Sequence, residues 1–109
     1  MTNYLLIESR DAFDARDGGA FGCELAASLS QRGNRVTVFA VQNGVLPLRA
    51  GAHAPALAAL SRAGVSVLAD RFSLRERGIP VDALTGGVMP AELDTVIDCL
   101  ADGWRVIWH

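Results

Sequence analysis

Short apolar runs alternate along the chain with segments in which apolar residues recur every three or four positions. Apolar runs of about four to eight residues are typical of parallel strands that are buried on both faces. Such runs predict strands at Tyr4–Ile7, Arg35–Val41, Val65–Ala69 and Arg105–Trp108. Val88–Met89 could join the same sheet briefly, but this run is too short to assign from its pattern alone.

The segments between these runs carry the spacing and the end signals of helices. Helices are expected from Ala20 to a stop at Gly33–Asn34, over Pro55–Arg62, over Ser73–Arg77 and over Ala91–Ala101. In the first of them, Phe21, Leu25 and Leu29 recur at helical spacing. Pro90 is interpreted as an early residue of the last helix, because proline is tolerated in a first helical turn.

The alternation of strands and helices determines the predicted fold. Strands separated by helical segments imply right-handed crossovers between parallel strands. We therefore predict an α/β fold of three layers, with a mostly parallel sheet of four or five strands and helices on both faces. A chain of 109 residues, 50% of them hydrophobic, has the size of one domain. Residues 1–109 are accordingly expected to form a single domain.

Polar residues follow three of the predicted strands directly. In parallel sheets, ligands bind beyond the carboxyl ends of the strands. The residues expected at this edge, as candidates to bind a ligand, are Glu8, Arg10, Asn43, Gly44, Asp70 and Arg71. If the carboxylates of Glu8 and Asp70 approach each other, one of them could transfer protons. The alternative is that Arg10, Arg71 or Arg75 pairs with them in ordinary salt bridges.

The two cysteines receive different expectations. Cys23 lies early in the first predicted helix, where the helix dipole could lower the pKa of a thiol. The other interpretation, which we favour, is a small packing residue beside Phe21 and Ala26. Cys99 lies near the end of the last helix, where the dipole opposes a thiolate, and is expected to be structural. Two widely separated cysteines and no leader-like segment indicate a reducing, cytoplasmic setting.

Charge and motif content exclude several classes of function. The 10 basic and 12 acidic residues give a formal net charge of -2, so neither nucleic-acid nor membrane binding is predicted. A P-loop is excluded because the chain has no lysine, and Asp17 stands where a G-x-G-x-x-G motif needs its first glycine. No Cys/His cluster has metal-ligand spacing. We therefore predict no metal and no cofactor.

Histidine and the loop after the second strand leave alternatives open. His53 precedes the second helix and is expected to have a capping or surface role, the alternative being a ligand contact or a general base. His109 is expected to be a solvated chain end. The loop Val45–Leu48 is apolar, so it either covers the core of its own domain or marks an association surface.

Four segments of the chain are similar to those of a known family. Val65–Ile79 (VSVLADRFSLRERGI), NYLLIES at the start, VTVFAVQNGV in the middle and RVIWH at the end resemble the DsrE/DsrF-like sulfur-relay family of small α/β proteins. In that family, the members that carry sulfur place a cysteine just after the strand that corresponds to Val65–Ala69. The matching position here is about Asp70, whose carboxylate can neither hold a persulfide nor attack one.

The resemblance implies a role without the usual chemistry. Sulfur-relay relatives form trimers and hexamers, which implies a homo-oligomer with a possible sulfur-relay protein as partner. The first hypothesis is therefore an oligomeric, non-carrying partner or scaffold in or near a sulfur-relay pathway. The second is a small-molecule binding protein or enzyme that uses the polar edge of the sheet. The third makes Cys23 a relocated sulfur acceptor that carries a persulfide.

Overall fold

The structure is a computed structural model that describes residues 1–11 and 21–108. Its strands are β1 (Asn3–Glu8), β2 (Arg35–Ala40), β3 (Ser66–Asp70), β4 (Val88–Ala91) and β5 (Arg105–Trp108). Its helices are α1 (Phe21–Gln31), α2 (Ala54–Arg62), α3 (Arg71–Glu76) and α4 (Asp94–Ala101), with 3-10 segments at Gln42–Leu48 and Val81–Ala83. Asp17 and His109, which entered the sequence analysis, lie outside the described residues.

All five strands are parallel and form one sheet in the order β4-β3-β2-β1-β5. The predicted α/β fold is thereby confirmed, and the short run at Val88 does belong to the sheet. In the register of the central strands, Glu8 lies beside Ala40 and Ala40 lies beside Ala69. The carboxyl ends of β1, β2 and β3 therefore meet at one edge of the sheet.

The two faces of the sheet are covered very differently. On one face, Val38, Val67 and their neighbours pack against buried residues of the first three helices, among them Ala26, Leu57 and Leu74. On the other face, a smaller cluster built on Leu5, Ile7 and Phe39 packs against α4 through Val96 and Cys99. Within the described part of the chain, α4 is thus the helix that covers this second face.

The apolar loop after β2 belongs to the core of its own domain. Its residues form the 3-10 segment, in which Val45 is fully buried and Leu48 retains only 4% of its exposure. Both pack in the larger cluster beneath α2. Of the two interpretations offered for this loop, the structure supports the covering role.

Two predicted helix starts were wrong. Pro90 and Ala91 belong to β4, and α4 begins only at Asp94. The reason is that β4 pairs with β3 at the edge of the sheet, and an edge strand tolerates a residue that lacks an amide hydrogen. The third helix begins at Arg71, two residues earlier than predicted, because Asp70 rather than Ser73 caps it.

Candidate functional site

The polar residues predicted at the carboxyl edge do lie at the ends of adjacent strands. Glu8 is the last residue of β1 and Asp70 the last residue of β3, while Asn43 and Gly44 are in the 3-10 segment that follows β2. Arg71 opens α3 directly after Asp70. That any of them binds a ligand stays a prediction.

The carboxylate of Asp70 caps the start of α3. Its Oδ2 accepts hydrogen bonds from the backbone N–H of Ser73 at 3.0 Å and from the Ser73 hydroxyl at 2.7 Å. Both residues are buried, Asp70 with 7% of its surface exposed. An aspartate in this position satisfies backbone donors that the first turn of a helix leaves without an acceptor. The Asp70 side chain therefore holds the backbone at the junction of β3 and α3 in place.

The same network fixes the loop that follows β2. The Ser73 hydroxyl oxygen accepts a hydrogen bond from the backbone N–H of Gln42 at 2.8 Å. Gln42 has a φ of 52°, in the left-handed region that side chains other than glycine rarely adopt. The next residue, Asn43, accepts two hydrogen bonds through Oδ1, from Nε and Nη2 of Arg77, both at 3.1 Å. The exposed rim formed by Gln42 and Asn43 is thus held by α3.

Glu8 has different surroundings from Asp70. Its side chain lines a cavity of about 20 Å³ between the sheet and the helices α1 and α2. Cys23 and Gly44 line the same cavity, which has room for about one water molecule. Gly44 packs directly on the main chain of Glu8, where a Cβ atom would collide with the Glu8 carbonyl oxygen. Glycine is therefore the residue that this close approach requires.

Glu8 and Asp70 end strands that are not neighbours in the sheet. Because β2 separates their strands, their backbones are about 10 Å apart. Arg71 pairs with neither of them: its Nε lies 3.1 Å from Oε1 of Glu92, with both side chains well exposed to solvent. An exposed pair of this kind stabilises a fold only slightly.

Burial dominates the chemistry of Cys23. It raises the pKa of the thiol from 9.0 to about 11, and the negative charges of Glu8 and Glu24 act in the same direction. The helix dipole would lower the pKa of this thiol. Its effect is smaller than that of burial, because a thiolate is strongly destabilised when it is removed from water. Cys99 is buried against the sheet, as expected for a structural residue.

His53 and the possible metal ligands are the remaining candidates. His53 occupies the position before α2, and its side chain makes no capping hydrogen bond. Among residues 1–11 and 21–108, no group of three or more histidine, cysteine, aspartate or glutamate side chains is arranged to hold a metal ion. None of the helices described is both long and apolar enough to span a bilayer.

Sequence reasoning missed the outer surface of the second face. Large apolar side chains more than half exposed lie on α4 and on the strands beside it: Met89 (61%), Leu93 (56%), Ile97 (60%), Leu100 (56%) and Trp108 (67%). The sequence of the last helix does indicate such a surface. Its apolar residues extend around the helix beyond the single stripe that would face the sheet. An apolar surface of this extent is typical of an interaction site.

Comparisons with known proteins agree with this fold. Three solved structures superpose on essentially the whole chain. A protein of unknown function, MTH1491 from Methanobacterium thermoautotrophicum, has a TM-score of 0.87 at 21% identity, with 100% of both chains covered. The ychN protein from E. coli has a TM-score of 0.84 at 17% identity, again with 100% of both chains covered.

A third structure, BT1422 from Bacteroides thetaiotaomicron, described as a conserved protein of unknown function, has a TM-score of 0.82 at 11% identity. It covers 98% of this chain and 94% of its own. At these identities the likeness concerns the fold. No curated protein sequence matches the chain. The model of the DsrE/DsrF-like family, however, matches residues 4–109. Since that match spans nearly all of its 109 residues, the chain belongs to the DsrE/DsrF-like family.

Proposed function

We propose that this protein is a non-carrying, self-associating component of a sulfur-relay pathway, acting as a partner or scaffold for another relay protein. The observation that carries the proposal is the state of Asp70. This residue stands at the position that the sulfur-carrying relatives fill with cysteine, and its carboxylate is buried and accepts two hydrogen bonds at the start of α3. A carboxylate has no sulfur to form a persulfide, and this one is engaged in holding the fold.

The state of the two cysteines supports the same role. A sulfur acceptor reacts as the thiolate and must be reached by its donor. The Cys23 thiol is largely withdrawn from solvent, and its pKa of about 11 keeps it protonated near neutral pH. Cys99 is buried on the side of α4 that faces the sheet, and this burial, followed by the negative charges of Asp102 and Asp98, raises its pKa as well. Neither thiol is therefore proposed as the carrier.

The exposed apolar surface over α4 supports self-association. A stable interface buries about 800 Å² on each partner and is more apolar at its centre than at its rim. The exposed leucine and isoleucine side chains of α4, with Met89 and Trp108 on the strands to either side, would supply such a centre. We expect a cytoplasmic homo-oligomer whose exposed polar rim stays free for a protein partner.

The rim formed by Gln42 and Asn43 favours a second candidate, the binding of a small molecule at the carboxyl edge. Backbone held in a sparsely populated region is often found at binding sites, and Gln42 is held there by Ser73. A thermal-shift screen of small metabolites would test it. A hit that is lost in Asn43→Ala would support the rim as the site, whereas a hit unaffected by this change would place binding elsewhere.

Two measurements test the proposed role. The tagged protein, recovered from its native cell after cross-linking, should bring with it a protein that bears a reactive sulfur-relay cysteine. Recovery of the homo-oligomer alone would contradict the partner role. In parallel, the purified protein is treated with a sulfur donor and its intact mass is measured together with that of Cys23→Ser. The mass should not change, and a gain of sulfur that depends on Cys23 would make this residue the carrier instead.

A further inference from the structure

The outer surface of α4 carries two parallel stripes. Leu93, Ile97 and Leu100, spaced by four and three residues, form an exposed apolar stripe. Asp94 and Asp98, one position further along in each turn, form an exposed acidic stripe that Asp102 continues at the end of the helix. Within the part of the chain that the structure describes, no salt bridge engages these three aspartates. The surface is therefore both apolar and negatively charged.

Two of the three acidic residues of this stripe, Asp98 and Asp102, do not stabilise their own helix. Asp98 lies in the last turn of α4 and Asp102 directly follows it, and this turn contains no basic residue. Negative charge at the carboxyl end of a helix is repelled by the helix dipole. Burial is the larger cause of the raised pKa of the Cys99 thiol, and the negative charges of Asp102 and Asp98 raise it further. These carboxylates would be stabilised by a positive charge brought from outside the chain.

A surface of opposite character lies on α3. A groove of about 260 Å³ is formed between this helix and the segment that follows it. Leu74 and Ile79 form its apolar floor, and Arg71 and Arg75, one helical turn apart, lie on its rim. The guanidinium of Arg75 makes no salt bridge with the described residues. Beside the groove, Phe72 is 61% exposed. Exposed aromatic and arginine side chains are the residues that dominate binding energy at interfaces.

We propose that α4 of one copy docks into the α3 groove of the next copy, with the apolar stripe on the groove floor and Asp98 facing Arg75. This inference rests on the self-association proposed above and specifies its geometry. Two α4 helices packed against each other would bring their acidic stripes together, and like charges in contact oppose association. The complementary surfaces lie on different parts of the molecule, so the interface is heterologous and repeats head to tail, closing into a ring when the rotation allows.

Charge reversal tests this interface. Arg75→Glu and Asp98→Arg should each raise the dissociation constant of the oligomer about tenfold or more, and the double variant should restore association. Sedimentation velocity over a range of protein concentrations measures the effect. Asp98→Arg also places a positive charge at the carboxyl end of α4, so this variant should fold at least as stably as the wild type while associating less. Loss of association therefore cannot be attributed to unfolding.

Arg62→Glu is the matched control, because it reverses an exposed arginine at the end of α2 that belongs neither to the stripes of α4 nor to the lining of the α3 groove. It should leave the dissociation constant unchanged. An oligomer that is indifferent to both reversals would overturn this interface and leave the proposed self-association intact. Failure of the double variant to recover would likewise overturn it. A protein that is monomeric at every concentration would overturn the proposed self-association together with the interface.

Discussion

At the scale of single residues, the hydrogen bonds of Asp70 explain why a carboxylate suits the end of β3. The residue lies between the end of β3 and the first turn of α3, where backbone N–H groups have no partner within the helix. Aspartate is among the best residues at such a position. The hydroxyl oxygen of Ser73, three residues later, in turn accepts a hydrogen bond from the backbone N–H of Gln42. The two side chains together thus join a strand, a helix and a loop.

Replacing Asp70 should destabilise the fold. Asp70→Ala removes the helix cap and leaves the buried Ser73 hydroxyl without its acceptor, so the free energy of unfolding should fall by about 1–3 kcal/mol. Urea denaturation followed by circular dichroism measures this change. Asp82→Ala, at an exposed position in the short 3-10 segment after α3, should stay within about 0.5 kcal/mol of the wild type. Equal midpoints for the two variants would contradict the capping role.

The Cys23 thiol should be slow to react. In Cys99→Ser, where Cys23 is the remaining thiol, the thiolate fraction near neutral pH should be about 100-fold lower than in the unfolded chain, because the pKa rises from 9.0 to about 11. The rate of alkylation, compared with and without denaturant, measures this difference and should increase with pH up to about 11. Equal rates in the folded and unfolded protein would show that the thiol is accessible and ionised.

The same pKa shift affects stability. Between pH 9.0 and about 11 the unfolded chain releases the Cys23 proton while the folded protein retains it. The folded state then binds more protons, so the free energy of unfolding decreases as the pH rises through this range. Cys23→Ala should weaken this alkaline dependence.

At the scale of elements, the sequence predicted the strands well because parallel strands of a covered sheet are nearly unbroken apolar runs, and four of the five were visible in this way. The positions of β4 and of the start of α4 were not predictable from local pattern. Pro90 is compatible with a first helical turn and with an edge strand, and pairing with β3 decides between them. The start of α3 was predicted two residues too late, at Ser73, whereas Asp70 caps the helix and Arg71 opens it.

The close contact between the 3-10 segment and β1 gives a prediction for Gly44. Gly44→Ala would force a Cβ atom against the Glu8 carbonyl oxygen, and displacing this backbone should cost about 1–3 kcal/mol. Thermal unfolding measures the loss. Gly86→Ala is the matched control, because a Cβ atom there meets nothing within 4 Å. It should be neutral or stabilise the fold by up to about 1 kcal/mol. A Gly44 variant as stable as the Gly86 variant would contradict the contact.

The candidate site was only partly predictable. That Glu8, Asn43 and Asp70 reach one edge follows from parallel strands ending side by side, and their sequence positions suffice for it. Which way each side chain points depends on packing that no short segment encodes. Glu8 turns into the layer beneath α1 and α2, whereas Asp70 turns to α3. A shared carboxylate chemistry was therefore beyond what the chain order could establish.

At the scale of the whole molecule, the uneven cover of the sheet is the main feature. The first three helices and the 3-10 segment pack on one face, and α4, with only eight residues, packs on the other. An eight-residue helix is about 12 Å long, whereas five strands extend over about 20 Å from one edge to the other. Apolar side chains on this second face are consequently left at the surface, which is where self-association would cover them.

Self-association through this face should make thermal stability depend on protein concentration. Because subunits that bind only the folded state stabilise it by mass action, the unfolding midpoint should rise as the concentration is increased. Differential scanning calorimetry over a wide range of concentrations measures this rise. Ile97→Asn, at an exposed position of α4, should flatten the dependence and leave the midpoint of the dilute protein nearly unchanged. A midpoint that is the same at all concentrations would contradict self-association.

Pro90 in β4 affects whether a further strand can add to this edge of the sheet. It lies in one of the two edge strands, which is only four residues long and has one backbone N–H fewer than a strand without proline. A foreign extended segment aligning along that margin would gain few main-chain bonds. Repeated strand addition, as in a fibril, is therefore disfavoured at β4. Association of subunits at this edge would depend on contacts between side chains.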